Sequence, residues 1–181
     1  MLKKTIHIKP LDLQVPLWIL LVLALGLSVY AWTSRDSWLI HHRLSKMASL
    51  VSKNAGENVL VGLVRAKEVV GFFTEHPAIS LGPTASISDR DEISAAIHQL
   101  RSGVDTLKIN VRDTKLNIAP NRTEAVMNVT VEGVFTVGGE TDNDLREFQL
   151  DWVKNSDGEW LIQGAKSIQT IQRPPALGRA F

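Results

Sequence analysis

Cysteine is absent from the sequence, and this absence excludes several classes of protein at once. A disulfide framework, a thiol nucleophile, a cysteine zinc site and a lipidated cysteine anchor all require that residue. An excess of basic charge is also missing, because 20 Lys and Arg face 19 Asp and Glu and the net charge is +1. A protein that binds nucleic acid through bulk positive charge is therefore not expected.

Charged side chains are also missing between Asp12 and Arg35, where an apolar run extends over residues 16–32. About 20 apolar residues, at roughly 1.5 Å each, suffice to cross the hydrocarbon core of a bilayer. Tryptophan or tyrosine lies near both ends of the run, as is typical of the two membrane interfaces. The pattern predicts a single transmembrane helix over residues 13–34, which would attach the protein to the lipid bilayer.

Residues 1–12 carry three lysines, and this basic segment predicts the orientation in the membrane. By the positive-inside rule it should be cytoplasmic, which places residues 35–181 on the periplasmic side of a bacterial inner membrane. A signal peptide cleaved after Ala31 is the alternative, because small residues precede that position. A helix buried in a protein core is a third interpretation, but such a helix rarely lacks a polar face over this length.

Beyond residue 34 the hydrophobic pattern becomes amphipathic and predicts three helices. Apolar residues spaced three and four apart predict the first helix over about 36–53. A second helix is expected from the cap at Asn58 to just before the His-Pro pair at 76–77, and a third over 88–102. The core-facing side of the second helix is predicted to carry Val59, Leu63, Ala66, Val70 and Phe73, which recur three and four residues apart. Residues 78–81 are expected to form a short extended piece.

Alternation of apolar and polar residues then predicts strands separated by turns. Four strands in an antiparallel meander are expected, over residues 106–118, 123–137, 147–152 and 159–171. The Asp157-Gly158 pair before the last of them is typical of a tight hairpin. Helices followed by strands indicate an α+β fold, in which three helices pack on one face of a four-stranded sheet.

Three short motifs resemble the nuclear-transport-factor-2-like superfamily, which includes polyketide-cyclase-like (SnoaL-like) and ketosteroid-isomerase-like members. They are Asp91-Glu92-Ile93 at the start of the third helix, Leu150-Asp-Trp-Val-Lys154, and Asp157-Gly-Glu-Trp-Leu-Ile162. The resemblance covers about residues 40–171 and implies that residues 35–171 form one cystatin-like domain. The fold it implies is cone-shaped, with a strongly bent sheet wrapped around helices and a pocket inside.

The resemblance implies no single activity, because this fold hosts enzymes, binding proteins and structural modules. Ketosteroid-isomerase-like members use an Asp base together with a Tyr donor. The only tyrosine of this chain, Tyr30, lies in the predicted membrane helix, so isomerase chemistry of that kind is not expected. A membrane helix followed by such a domain also resembles, in architecture alone, the assembly-factor subunit of bacterial type IV secretion systems.

Three residues are weak candidates for catalysis. Asp151 or Glu132 would serve as a base if the polar face of the sheet were concave, where they would converge with Asn110 and Asn128. His98 lies beside the apolar stripe of the third helix and would act as an acid or base at a pocket entrance. A structural role is the simpler interpretation, because charged strand positions usually lie on the solvated face of a sheet.

Residue spacings typical of metal or cofactor sites are missing from the sequence. His41 and His42 are adjacent, so on a helix they diverge by about 100° and cannot share one metal ion. The Gly-Gly pair at 138–139 is a turn, because no predicted helix follows it. The predicted tail, residues 172–181, contains two prolines and is either a frayed terminus or a short partner-binding peptide.

The sequence thus favours a single-pass protein of the bacterial envelope whose external domain is a non-catalytic binding or assembly module. Its partner would be another protein, a second copy of the chain, or a small apolar ligand. The alternative is a membrane-anchored enzyme or ligand carrier of the polyketide-cyclase or ketosteroid-isomerase type. An enzyme should have polar groups that converge in a roomy pocket, whereas a scaffold should have its interior filled by tryptophan and phenylalanine.

Overall fold

The computed structural model describes residues 11–80, 82 and 86–170. Residues 1–10 of the predicted cytoplasmic segment and the predicted tail over 172–181 lie outside this set. The chain forms two compact units that meet in sequence between Leu39 and Ile40. The second unit contains the whole described sheet.

Helix α1 (Leu11–Val51) is continuous over 41 residues. It includes most of the helix that the amphipathic pattern predicts over 36–53, which is therefore confirmed. Within the part of the chain that the structure describes, no helix is both long enough and apolar enough to cross a membrane. Most side chains of residues 11–33 lie outside the described set, and the transmembrane helix over 13–34 stays a prediction.

Two shorter helices follow, and each begins at a side-chain cap. Helix α2 (Val59–Val70) is capped by Asn58, as the sequence predicted. The Asn58 side chain accepts a hydrogen bond from the Leu60 N–H at 2.9 Å. Helix α3 (Arg90–Ser102) is capped by Asp89, whose side chain accepts a bond from the Asp91 N–H at 2.7 Å. Such caps satisfy N–H groups that the helix itself leaves unpaired.

Helix α2 is shorter than predicted, because it ends at Val70 and not just before His76. Gly71 forms its carboxyl-terminal cap, and the following residues enter strand β1 (Phe73–Ser80). The residue that precedes a proline disfavours the α conformation, so the approach to Pro77 favours extended backbone. Phe73, which the helical pattern placed in the second helix, is instead the first residue of β1, and its side chain is buried.

In the described ranges the sheet contains six strands, so the prediction of a four-stranded antiparallel sheet is wrong in number and in direction. The strands are β1, β2 (Ser86–Ile87), β3 (Thr106–Ile118), β4 (Glu124–Val137), β5 (Glu140–Lys154) and β6 (Trp160–Thr170). Their order across the sheet is β2-β1-β6-β5-β4-β3. Strands β3–β6 form the predicted antiparallel meander, whereas β1 pairs with β6 in parallel. Parallel pairing joins strands that are distant in the sequence, and local alternation does not reveal it.

One face of the sheet is apolar and contributes most of the core. Its fully or nearly fully buried side chains are Leu107, Ala125, Met127, Val129, Leu150, Trp152, Trp160 and Ile162. Buried residues of all three helices complete the core, among them Ile40 and Leu44 of α1, Val69 of α2 and Ile93 of α3. The described fold is therefore α+β, with three helices and a mixed six-stranded sheet.

Candidate functional site

The four polar residues predicted to converge lie on the face of the sheet opposite the core. Val126 pairs with Asp151 and Asn110 pairs with Glu132, and directly paired residues share a face. Met127, which follows Val126 on β4, points to the other face, where it is completely buried. The apolar face is thus the one that carries the core, and the polar face lies away from it.

Asp151 and Glu132 share this face but do not form one site. The partner of Asp151 on β4 is Val126, which precedes Glu132 by six residues on the same strand. Six residues of extended chain span about 20 Å. Two carboxylates at that separation cannot act on the same bond, since even the widest glycosidase pairs are about 9.5 Å apart.

Glu132 is held as an ion by its neighbours. Its carboxylate accepts hydrogen bonds from Asn110 Nδ2 at 3.1 Å and from Arg112 Nε at 3.0 Å. The Asn110 hydrogen bond, followed by those from Arg112, lowers the pKa of Glu132 below its ordinary value. A general base that works near neutral pH needs a pKa shifted the other way. Glu132 is therefore suited to hold strands β3 and β4 together and not to abstract a proton.

Asp151 has a local partner and a specific steric setting. Its Oδ1 accepts a hydrogen bond from Gln149 Nε2 at 3.0 Å on the same strand. Gly164 is its partner on β6, and a Cβ at that position would lie 3.1 Å from Asp151 Oδ2. Because Gly164 has no side chain, there is space beside it for the Asp151 carboxylate. Asp151 borders neither of the two cavities described below.

His98 lines a cavity in the described part of the chain, and this cavity is small. The space measures about 60 Å³ and is bordered by Lys53, Glu57, Asn58, Val59, Gly62, His98, Arg101 and Ser102. Sites for drug-sized ligands usually measure about 300–1,000 Å³, so this cavity suits a few water molecules. Asp151 and Glu132 are not among its borders.

Arg101 in the wall of this cavity is buried, with 3% of its surface exposed. Its guanidinium donates hydrogen bonds to the carbonyl oxygens of Leu50 at 2.8 Å and Val51 at 2.7 Å, at the end of α1. It also forms an ion pair with Glu57. The carboxyl end of a helix carries unpaired carbonyls and partial negative charge, which a cation satisfies.

Lys53 makes the reciprocal contact at the end of α3. Its Nζ donates hydrogen bonds to the carbonyl oxygens of Arg101 at 2.9 Å and Val104 at 2.6 Å. The last carbonyls of α1 are therefore bonded by a cation of α3, and carbonyls in and just after the last turn of α3 are bonded by Lys53, which lies two residues after α1. The cluster fastens α1 to α3, and this accounts for the burial of its charges without a catalytic role.

Sequence reasoning missed this cluster, because a lone arginine in a helix usually lies in solvent. The only signal was the position of Arg101, four residues after Ile97 and thus on the side of the apolar stripe.

A second, larger space lies between α1 and the edge strand β3, and we call it the β3 cleft. It measures about 520 Å³ and is lined by Ser45, Ala48 and Ser49 of α1 and by residues 108–112 of β3. The side chains on its helix side are small, whereas those on its strand side are apolar at Ile109 and Val111 and polar or basic at the other three positions. Sequence reasoning did not predict it, because it depends on how the end of α1 meets a strand about 60 residues later in the chain.

The first half of α2 presents apolar side chains to solvent, and we call this the α2 surface. Its members and their exposed fractions are Val59 70%, Leu60 69%, Val61 43%, Leu63 40% and Val64 57%. The sequence predicted that Val59 and Leu63 would face the core with Ala66, but of these three only Ala66 is buried. Contiguous exposed apolar residues mark interaction surfaces on soluble domains.

Metal-binding groups do not assemble in the described ranges. Among residues 11–80, 82 and 86–170, no three His, Asp or Glu side chains are placed so that they could hold one ion. His41, one of the two adjacent histidines, instead contacts Thr114 Oγ1 through Nε2 at 3.1 Å.

Comparison with known proteins identifies the fold. The sequence matches no protein family and no curated protein. Among solved structures, it is similar to a nuclear transport factor 2-like protein with a cystatin-like fold from Novosphingobium aromaticivorans. The identity is 12%, the TM-score is 0.62, and the match covers 78% of this chain and 86% of that one.

A second similar structure is a nuclear transport factor 2-like superfamily protein from Salmonella enterica serovar Typhimurium. The identity is 11%, the TM-score is 0.60, and the match covers 81% of this chain and 99% of that one. At such identities the likeness concerns the fold alone, because related folds host unrelated functions. The chain therefore has the nuclear-transport-factor-2-like, cystatin-like fold, as the sequence motifs predicted.

Proposed function

We propose that this protein is a single-pass membrane-anchored, non-catalytic assembly module of the bacterial envelope, which binds another protein subunit through the α2 surface. The observation that carries the proposal is the exposure of five consecutive or near-consecutive apolar residues on α2. Exposure of apolar area to water is unfavourable, and the free energy it costs is regained when a partner covers the area.

The interior of the domain supports a non-catalytic role. Trp152 is 1% exposed, and Trp160 and Met127 are completely buried. These large side chains occupy the apolar face of the sheet, where an enzyme of this fold would need a pocket with converging polar groups. Asp151 and Glu132 lie on the opposite face, far from one another.

A protein partner fits the α2 surface better than a lipid surface does. Helices that lie on anionic membranes are rich in Lys and Arg along their polar face. The second half of α2 instead carries Lys67 next to Glu68, both exposed, so their charges cancel. An aliphatic surface with a neutral rim is typical of the centre of a protein–protein interface.

Membrane attachment would come from residues 13–34, with the amino end in the cytoplasm. The uncharged apolar run and the lysines before it support this part of the proposal. Alkaline carbonate washing of membranes tests it, because the wash releases peripheral proteins but leaves an integral chain in the pellet. Release of the full chain into the supernatant would contradict the anchor.

A ligand carrier is the second candidate, and one observation favours it. The Trp152 Nε1 donor is buried and has no hydrogen-bond acceptor among the described residues. Buried donors are nearly always paired, so a water or a small apolar ligand with one acceptor would satisfy it. Native mass spectrometry of the purified chain distinguishes these cases, since only a carrier retains a small molecule at stoichiometric amounts.

The decisive experiment compares three full-length, tagged proteins that are extracted in mild detergent. They are the wild type, a variant with Leu60→Gln and Val64→Gln in the α2 surface, and a control with Val126→Gln and Val137→Gln. The control changes exposed valines of the sheet, which are 42% and 49% exposed. All four sites are exposed, so stability should change by less than about 0.5 kcal/mol per site.

We expect one subunit to co-purify with the wild type and the control in a fixed ratio. Its recovery with the α2 variant should fall at least tenfold, which corresponds to about 1.4 kcal/mol of binding free energy. Equal recovery with all three proteins, or a wild type that purifies without a stoichiometric protein, would contradict the proposal.

A further inference from the structure

The β3 cleft is closed at both ends and open between them. At one end the backbones of Lys53 and Leu107 exchange two hydrogen bonds, of 2.7 and 2.9 Å. At the other end His41 Nε2 contacts Thr114 Oγ1 at 3.1 Å. Between these contacts Ser45, Ala48 and Ser49 line the helix side of the space. Their short side chains leave the edge of β3 accessible.

The edge of β3 presents backbone groups to this space. Alternate residues of an antiparallel strand direct both N–H and C=O away from their partner strand. Leu107 uses both groups to bond Lys53, and the Ile109 N–H donates to Ser52 Oγ at 3.0 Å. By the same alternation the N–H and C=O of Val111 point into the β3 cleft. The pairing of β3 with β4 shifts register after Val111, which ends this regular stretch.

The charged side chains that line the cleft are basic. Lys108 and Arg112 border it, and no acidic residue is among the residues that line it. Arg112 is engaged by Glu132, whereas Lys108 makes no ion pair within the described residues. A ligand in the cleft would therefore meet the ammonium group of Lys108 together with backbone donors and acceptors of β3.

We propose that the β3 cleft binds a short extended peptide of a partner protein that carries acidic side chains. The peptide would add a strand at the edge of β3 and bond the backbone of Val111. Its alternate side chains would point toward Lys108, which favours Glu or Asp, and toward Ser45 and Ser49, where only small side chains fit. The open stretch of residues 109–112 spans about 13 Å, so about four peptide residues are accommodated.

The ends of this chain do not fit the cleft. Residues 1–12 carry three lysines, and residues 172–181 carry two arginines and two prolines. Basic side chains would meet Lys108 with like charge, and proline lacks the N–H that strand addition requires. An acidic peptide of another protein therefore suits the cleft better than either of these two segments does. The inference is separate from the α2 surface, because the two surfaces share no residue.

Fluorescence anisotropy of labelled hexapeptides on the full-length protein in detergent tests the proposal at 150 mM salt. The probe is an acetylated peptide of alternating Glu and Ala, and the matched peptide has Lys in place of Glu. We expect saturable binding of the acidic peptide and none of the basic one. N-methylation of alternate backbone nitrogens in the acidic peptide should abolish binding, because it removes the ladder donors without a change of charge.

Lys108→Glu is the informative variant and Lys115→Glu is its control. Lys115 is exposed on the same strand, makes no ion pair in the described part of the chain, and lies beyond the register shift. Lys108→Glu should lower the affinity for the acidic peptide at least tenfold, whereas Lys115→Glu should lower it less than twofold. The proposal is overturned if the acidic peptide does not saturate, if both variants weaken it equally, or if the N-methylated peptide binds as well.

Discussion

At the scale of single residues, Trp152 contributes most clearly to the stability of the domain. The side chain is 1% exposed and lies in the apolar layer of β5. Trp152→Ala should lower the free energy of unfolding by about 3–5 kcal/mol, because it removes a large buried surface and leaves a cavity. Urea unfolding of the full-length protein, followed by circular dichroism, measures the loss. Val126→Ala on the opposite face is the control, and a negligible loss for Trp152→Ala would contradict the strand register.

Glu132 should give the stability of the domain a dependence on acid pH. Hydrogen bonds from Asn110 and Arg112 lower its pKa in the folded state below the ordinary value of 4.5. A lowered folded-state pKa contributes stability above the unfolded-state pKa, and this contribution is lost as the pH falls through the folded-state pKa. Glu132→Gln should therefore be less stable than the wild type at pH 7, and the difference should shrink toward pH 3.

The control for this pH series is Glu124→Gln on the same strand, since Glu124 makes no ion pair within the described residues. Its difference from the wild type should change less between pH 7 and pH 3. A Glu132→Gln difference that grows as the pH falls would show that the assigned direction of the pKa shift is wrong.

Asp151→Asn separates the binding role from catalysis at the residue scale. Asparagine keeps the shape of the side chain and an oxygen that accepts from Gln149, so we expect a stability change within about 0.5 kcal/mol. The amount of co-purified subunit should also stay unchanged. Loss of a cellular function with unchanged subunit recovery would instead indicate that Asp151 acts in chemistry.

At the scale of elements, the sequence predicted those helices and strands whose residues follow a regular local pattern. Strands β3–β6 alternate apolar and polar residues, and helix α3 begins with a cap and acidic residues, so both were found from the sequence. Strand β1 contains Pro77 and pairs in parallel with a strand that begins about 80 residues later. No local pattern encodes such a partner, which explains why a four-stranded sheet was expected.

Helix α2 shows why the candidate surface could not be predicted. Its first six residues contain five that are apolar, so every side of the helix looks like a core-facing side. Periodicity identifies the buried face only when the other faces are polar. The sequence therefore placed Val59 and Leu63 in the core, and only the tertiary structure shows that they are exposed.

The contact between Arg101 and Glu57 should be the strongest electrostatic link between elements. Both side chains are over 90% buried, and removal of one partner leaves the other charged and desolvated. Arg101→Met should lower the free energy of unfolding by about 3–5 kcal/mol, because it leaves Glu57 buried without its partner. Lys67→Met on the exposed side of α2 is the control. In a double-mutant cycle with Glu57→Gln the losses should not be additive, and simple additivity would contradict the link.

At the scale of the whole molecule, the core lies in one of the two units. The second unit, from Ile40 onward, includes the buried layer of the sheet and the buried residues of α2 and α3. Deletion of residues 1–33 should therefore leave a folded domain that starts at Ser34 and stays in solution without detergent. It should unfold cooperatively in urea, as small single domains usually do.

The same deletion should release the protein from membranes, because it removes the predicted transmembrane helix. Sedimentation of cell membranes after expression measures this, with the full-length chain as the control. A truncated chain that is folded and soluble yet still recovers the partner subunit would place the binding function in the second unit. A truncated chain that aggregates, or one that stays in the membrane pellet, would instead mean that residues 1–33 and the domain do not act as separate parts.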